Sequence, residues 1–156
     1  MSHRPLPVLA ALALLGACTT PGADHDAAWT VPLAPGPAAY GGLARATLLP
    51  SPTGTRIEVF FTAAGPQPTI PLHVYTYLYE GRCAQLPAAS AYDLNDRVLV
   101  RTANGDIAQS RRGPFTLSHH VDLPLAALAG GRYALALRAA PADGGELLYC
   151  GDLQRV

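Results

Sequence analysis

Strict apolar–polar alternation recurs four times after residue 55, and a two-residue period belongs to half-buried strands rather than to helices. Over 56–62, Ile57, Val59 and Phe61 oppose Arg56 and Glu58. Over 72–79, Leu72, Val74, Thr76 and Leu78 oppose His73, Tyr75, Tyr77 and Tyr79. Over 115–123, Phe115, Leu117, Val121 and Leu123 oppose Thr116, Ser118, His120 and Asp122. Over 132–139, Tyr133, Leu135 and Leu137 oppose Ala134, Ala136 and Arg138. The segments 43–49, 97–102 and 147–150 predict further strands. Turn residues punctuate the runs at 52–54, Asn104-Gly105, Gly130-Gly131 and Asp143-Gly144, pairs that favour hairpins. With 15 Gly and 15 Pro in 156 residues, long helices have little room. The helix-like stretch 124–129 is short and stops at a glycine pair. The expected fold class is all-β, an antiparallel sandwich or barrel.

Charge narrows the partners. All 11 basic residues are Arg, and they cancel 11 acidic ones, which leaves no electrostatic footprint for nucleic acid. Charged residues make up 14% of the chain, well below the roughly 25% of an ordinary soluble domain. At 49% apolar the chain is too hydrophobic to stay disordered.

The first residues form a leader. Arg4 supplies a positive start, residues 8–15 are apolar, and small Gly16 and Ala17 precede Cys18. Such a segment is a secretory signal, too short to span a bilayer. Leu15-Gly16-Ala17-Cys18 resembles a bacterial lipobox. The resemblance implies removal of 1–17, attachment of lipid to the Cys18 thiol, and acylation, for example by palmitate, of the new amino terminus. Several acyl chains at about 0.8 kcal/mol per buried methylene hold a protein on a bilayer that a single chain grips only reversibly. Thr19 in the next position resembles the outer-membrane sorting pattern. The expected location is the cell envelope, at the outer membrane and facing the periplasm. Residues 18–42, rich in Pro and Gly, read as an extended tether, with 43–156 as the folded domain; Trp29 and Val31 are the tether side chains able to dock on it.

With Cys18 lipidated, Cys83 and Cys150 remain, 67 positions apart. In an oxidising envelope they are expected to pair. A metal–thiolate pair or free buried thiols are the alternatives, and neither Cys has another Cys or a His within three residues, which disfavours zinc.

Common catalytic motifs are missing. There is no G-x-S-x-G, H-E-x-x-H, C-x-x-C or Gly-rich phosphate loop. The histidines of the domain are His73, His119 and His120. Adjacent residues on a strand leave opposite faces, so His119 and His120 are poorly placed to share a metal. The expectation is a surface His120 and a partly buried His119, with convergence of His73 and His120 left open.

A series of short motifs follows in order. Ala46-Thr47-Leu48 precedes Thr53-Gly54-Thr55, and Tyr77-Leu78-Tyr79-Glu80-Gly81-Arg82-Cys83 comes next. Asp93-Leu94-Asn95-Asp96 follows, then Gly131-Arg132 leading into Leu135-Ala136-Leu137-Arg138, then Pro141 and Asp143, and finally Cys150-Gly151-Asp152-Leu153. This order resembles the copper/zinc superoxide dismutases and their divergent bacterial relatives. The resemblance implies a Greek-key β-sandwich with Cys83 paired to Cys150. It also places Tyr77 and Tyr79 at the paired copper histidines, Asp93 at the bridging histidine, Arg138 at the remaining copper histidine, and Leu147 at the guiding arginine. No counterpart of the zinc carboxylate is present. Phenols keep their protons at neutral pH and guanidinium groups never release theirs, so this set makes a poor copper site. No cofactor and no dismutase activity are expected.

Two functions compete. The first is a lipid-anchored, non-catalytic domain with a structural or binding role. In it, Tyr77, Tyr79, Asp93 and Arg138 form a polar cluster in which Asp93 pairs with Arg138. Alternatively, His73, Tyr75, Tyr77 and Tyr79 form an exposed stripe for a glycan or protein partner. The second function is a periplasmic copper- or zinc-binding, superoxide-related protein that uses His73, His119 and His120 in a rearranged site.

Overall fold

A computed structural model of the chain describes residues 27–155. The leader 1–17 and Cys18 lie outside the described residues. Among those described, the strands are β1 (Trp29–Pro35), β2 (Ala44–Ser51), β3 (Gly54–Ala63), β4 (Val74–Glu80), β5 (Tyr92–Asp93), β6 (Arg101–Thr102), β7 (Arg112–Val121), β8 (Gly130–Ala139) and β9 (Leu147–Gln154). A helical turn, α1 (Leu125–Ala129), and a 3-10 turn, Pro141–Asp143, complete the elements. The expected all-β class is what forms.

The strands make one antiparallel sheet in the order β5-β4-β8-β9-β1-β2-β3-β7-β6. It curls so that β1-β2-β3-β7-β6 and β5-β4-β8-β9 enclose a single apolar core. After the meander β1-β2-β3, residues 64–73 carry the chain across to β4, and 122–129, with α1, carry it from β7 across to β8. The last strand returns beside the first, a Greek-key pattern.

Alternation decides which side chains enter the core. Ile57, Val59 and Phe61 of β3 face Phe115 and Leu117 of β7, while Val74 and Leu78 of β4 face inward beside Leu135 and Leu137 of β8; all are buried. Phe61 meets Phe115 at 5.3 Å and Tyr149 at 6.1 Å between ring centroids. A buried phenol needs a partner, and the Tyr149 hydroxyl donates to the Ala63 carbonyl at 3.0 Å.

Three local expectations change in the fold. The predicted strand over 97–102 contracts to β6, because Val100 is held from outside any ladder: its N–H donates to Leu72 O and its carbonyl accepts from Ala108 N–H, both at 3.0 Å. The predicted strand over 147–150 extends to Gln154. Gly130-Gly131 is not a free turn but the bulged start of β8, with a register shift before Tyr133 and Gly131 at φ +73°.

The largest correction concerns the tether. Within the segment 18–42, Trp29–Pro35 is not a spacer but β1, a strand in the middle of the sheet. β1 pairs with β2 over Trp29–Leu48 to Leu33–Ala44 and with β9 at Ala34–Cys150 and Pro35–Tyr149. Val31 and Leu33 are core residues, 5% and 3% exposed. Pro32 lies outside the two-residue ladder to β9 and Pro35 is the last residue of the strand, positions at which a missing N–H is tolerated. The close approach of the two strands needs Gly151, where a Cβ would lie 2.5 Å from Leu33 Cδ2 and 2.8 Å from the Pro32 carbonyl oxygen.

Candidate functional site

The outer face of β4 and β8 carries the tyrosines of the β4 stripe. Tyr75, Tyr77 and Tyr79 stand opposite Arg138, Ala136 and Ala134 in the β4–β8 ladder, and Tyr77 is also opposite Asp93 of β5. Tyr77, Tyr79, Asp93 and Arg138 therefore share one region of the sheet. The rings of Tyr77 and Tyr79 lie 6.2 Å apart, and the Arg138 guanidinium lies 6.0 Å from the Tyr79 ring.

The region is filled with packing. Tyr79, 6% exposed, forms a second apolar cluster with Ala134, Ala136 and Cys150, and Tyr77, Cys83, Leu86 and Leu147 pack against it. Small alanines on β8 make room for the aromatic rings. The Cys83–Cys150 disulfide, with 5.8 Å between Cα atoms, ties the segment after β4 over them. Asp152 reinforces that tie: its carboxylate accepts from the Cys83 N–H at 2.7 Å and pairs with Arg82 at 3.4 Å.

Two expectations fail here. Asp93 and Arg138 form no ion pair; Asp93 accepts from the Ser90 hydroxyl, and Arg138 donates to the Gly145 carbonyl at 3.2 Å. The stripe His73, Tyr75, Tyr77 and Tyr79 does share a face, but it is not an open platform. His73, Tyr75 and Tyr77 are half-buried and Tyr79 is buried. Phenols packed on alanine beneath a guanidinium do not fit a copper ion, so no redox step is derived through one.

The histidines are dispersed. His73 bridges to Leu99 at the head of β4. On β7, His119 lies opposite Ile57 and His120 opposite Arg56, so they leave opposite faces as their adjacency requires. Among the described residues no group of three or more His, Cys, Asp or Glu side chains is placed to hold a metal. Exposed His120 is held by Asp122 at 3.0 Å and Thr53 at 3.1 Å.

The chemistry the fold does create is at the end of β7. A cavity of about 460 Å³ is lined by the β2–β3 turn, by Arg56 of β3, by Ser118, His119 and His120 of β7, and by Leu94, Asp96 and Arg97 of the loop that follows β5. Because β6 pairs only with Phe115 and Thr116, the rest of that β7 edge is left to this loop. Leu94 is anchored to β4 through its N–H to the Thr76 carbonyl at 3.0 Å, and its own carbonyl accepts a hydrogen bond from the His119 ring. Nε2 of His119 is buried and has no partner. Burial holds the His119 imidazole down to about 4; Arg97 pushes the same way, while the Leu94 hydrogen bond and Asp96 oppose it. Alternation over 115–121 already turned His119 inward, but neither Arg97 nor the missing partner had a local signal.

A pH dependence follows. Unfolded, His119 titrates near its ordinary 6.5 and, folded, near 4. Below pH 6.5 the unfolded chain therefore binds a proton that the folded chain refuses, so stability from this group is complete above 6.5 and lost as pH falls toward 4. Between about pH 7 and 5 the expected loss is about 2 kcal/mol, part of about 3 kcal/mol in all. Urea midpoints across that range check it, and His119→Phe should flatten the slope; an unchanged slope would contradict the buried neutral imidazole.

Comparison of the chain with protein-family models, with curated proteins and with solved structures finds no match.

Proposed function

We propose that the chain is a lipid-anchored protein of the bacterial cell envelope whose dismutase-like β-sandwich has lost its copper site and acts as a non-catalytic structural or binding module. The observation that carries this reading is the pair Tyr77 and Tyr79. They occupy the positions of the paired copper histidines in the resemblance, and they are packed on Ala134 and Ala136 beside Cys150 with Arg138 near the Tyr79 ring. The Greek-key strand order and the Cys83–Cys150 link are consistent with the dismutase resemblance. Fold likeness alone transfers no activity; the side chains at Tyr77, Tyr79, Asp93 and Arg138 decide it.

The test is metal content and superoxide turnover of the full-length protein after incubation with copper and zinc. Neither stoichiometric metal nor turnover above free buffer is expected. Bound copper or zinc that is lost on His120→Ala would overturn the reading in favour of a rearranged histidine site. The anchoring is tested separately. Cys18→Ser should abolish incorporation of labelled fatty acid and move the protein from the membrane to the soluble fraction, since one residue carries the acyl chains. Unchanged membrane partition would sink the lipidation reading.

A further inference from the structure

We propose that the free edge of β7 takes up an extended acidic segment of a partner protein as an added antiparallel strand. The added strand lies on β7 and is independent of the dismutase resemblance, so it goes beyond the non-catalytic reading.

Hydrogen-bond alternation leaves part of β7 open. An antiparallel strand bonds to one neighbour through its odd residues and to the other through its even ones. The Thr62 N–H donates to the Leu43 carbonyl at 3.0 Å, so even residues of β3 bond to β2 and odd ones to β7. Opposite Val59, Ile57 and Thr55 stand Leu117, His119 and Val121, which therefore carry the β3 bonds. On the far side the Ala103 N–H donates to the Pro114 carbonyl at 3.0 Å, which shows the even residues of β7 facing that way. The backbone groups of Thr116, Ser118 and His120 thus point away from β3. Thr116 meets Arg101 of β6, whereas Ser118 and His120 have no backbone partner there among the described residues. The chain over 94–100 faces this edge but spends its bonds on β4. Leu94 N–H donates to Thr76 O at 3.0 Å, Val100 N–H to Leu72 O at 3.0 Å, and Val98 O accepts from Val74 N–H at 2.9 Å. The seam is closed on the β4 side and open on the β7 side.

The opening has room and a charge preference. The cavity of about 460 Å³ has Ser118 and His120 in its wall. A second of about 130 Å³ shares Ser118 and Arg97 with it and continues to Leu99, Arg101 and Thr116. Arg56, Arg97 and Arg101 line the two against Asp96 and Glu58. Glu58 is already engaged, by Arg56 at 3.3 Å and by the Ser118 hydroxyl at 2.9 Å. Arg97 is exposed and forms no ion pair among the described residues. Guanidinium groups in this setting favour carboxylates. An added strand supplies the main-chain bonds, and its alternate side chains set specificity. Its residues opposite Ser118 and His120 share their outer face with Arg56, which stands across from His120, so these are the acidic positions. The residues between them turn inward, where Leu94 and Leu99 line the cavities and favour an apolar side chain.

The experiment titrates the full-length chain with the peptide acetyl-Val-Asp-Val-Asp-Val-amide and follows backbone amides by NMR. Saturable shifts of the Ser118 and His120 amides are expected at millimolar peptide. Amide exchange at those two should slow in the complex, while His119, already bonded to β3, stays unchanged. Methylating the two Asp nitrogens removes the donors that face β7 and should weaken binding by at least about tenfold. Methylating the central Val nitrogen, which faces away, should cost much less. The peptide acetyl-Val-Arg-Val-Arg-Val-amide should bind about tenfold more weakly, and Arg97→Glu, an exposed change, should narrow or reverse that preference. No saturable shift, equal binding after methylation of the Asp nitrogens, or equal affinity for the arginine peptide would each overturn the proposal. So would equal shifts with succinate, which would mark a simple anion site. Protection of Ser118 and His120 that rises with protein concentration alone would also overturn it, by giving the edge to a second copy of the chain.

Discussion

A chain shortened to begin at Leu43 is expected to remain unfolded, whereas one that begins at Ala27 folds. The difference is β1. Removing it takes Val31 and Leu33 out of the core, with Trp29 packed at its margin. At about 1.5–3 kcal/mol for each large apolar side chain, the direct loss is about 5 kcal/mol, comparable to the whole stability of a small domain. The indirect loss is as important. β2 and β9 both pair with β1, so without it the curled sheet opens at its middle and the edge of β2 is exposed. Circular dichroism and urea titration of the two chains compare them directly. A cooperative transition in the shorter chain would show that β1 is an accessory strand and not part of the closure.

Removing the disulfide is expected to have the next largest effect. Replacing Cys83 and Cys150 together by serine should lower stability by roughly 4 kcal/mol in the chain-entropy model for a loop of this length, the links being 67 positions apart. The loss should have a local character as well. The segment after β4 is held over Tyr77 and Tyr79 by the disulfide and by the Asp152 contacts to Cys83 and Arg82. In the double variant only the Asp152 contacts remain, so amide exchange should accelerate first at 81–91 and on β4. Urea midpoints give the global effect and hydrogen exchange the local one. Equal midpoints with and without the link would mean that the surrounding packing alone closes the loop.

Most of the strands are legible in the sequence because burial on one face writes a period of two into it. The runs at β3, β4, β7 and β8 show this directly, and the inward side chains named from alternation are the ones found in the core. β1 is illegible for the same reason in reverse. Its alternating Trp29, Val31 and Leu33 are interrupted by Pro32 and Pro35, residues that ordinarily argue against a central strand. Only the short β1–β9 ladder, a fact about two distant segments, makes those prolines acceptable.

The candidate sites divide in the same way. The candidacy of Tyr77, Tyr79, Asp93 and Arg138 as one polar cluster is visible in the sequence. That Asp93 turns to Ser90 and Arg138 to Gly145 is not, since long side chains choose among neighbours that only the assembled sheet supplies. The stripe on β4 also looked open, because alternation tells which face a side chain takes but not whether a later loop covers that face.

Alone, the sequence determined the all-β class, the inward faces of four strands, the inward turn of His119, and Cys83 and Cys150 as the candidates for a link. These follow from backbone periodicity and covalent chemistry, which act over a few residues or at named positions. Tertiary structure decided the central place of β1, the packing that covers Tyr79, and the cavity that gathers Arg56, Arg97 and His119 from separate segments. Those depend on which distant segments share a neighbourhood, and no local pattern encodes that.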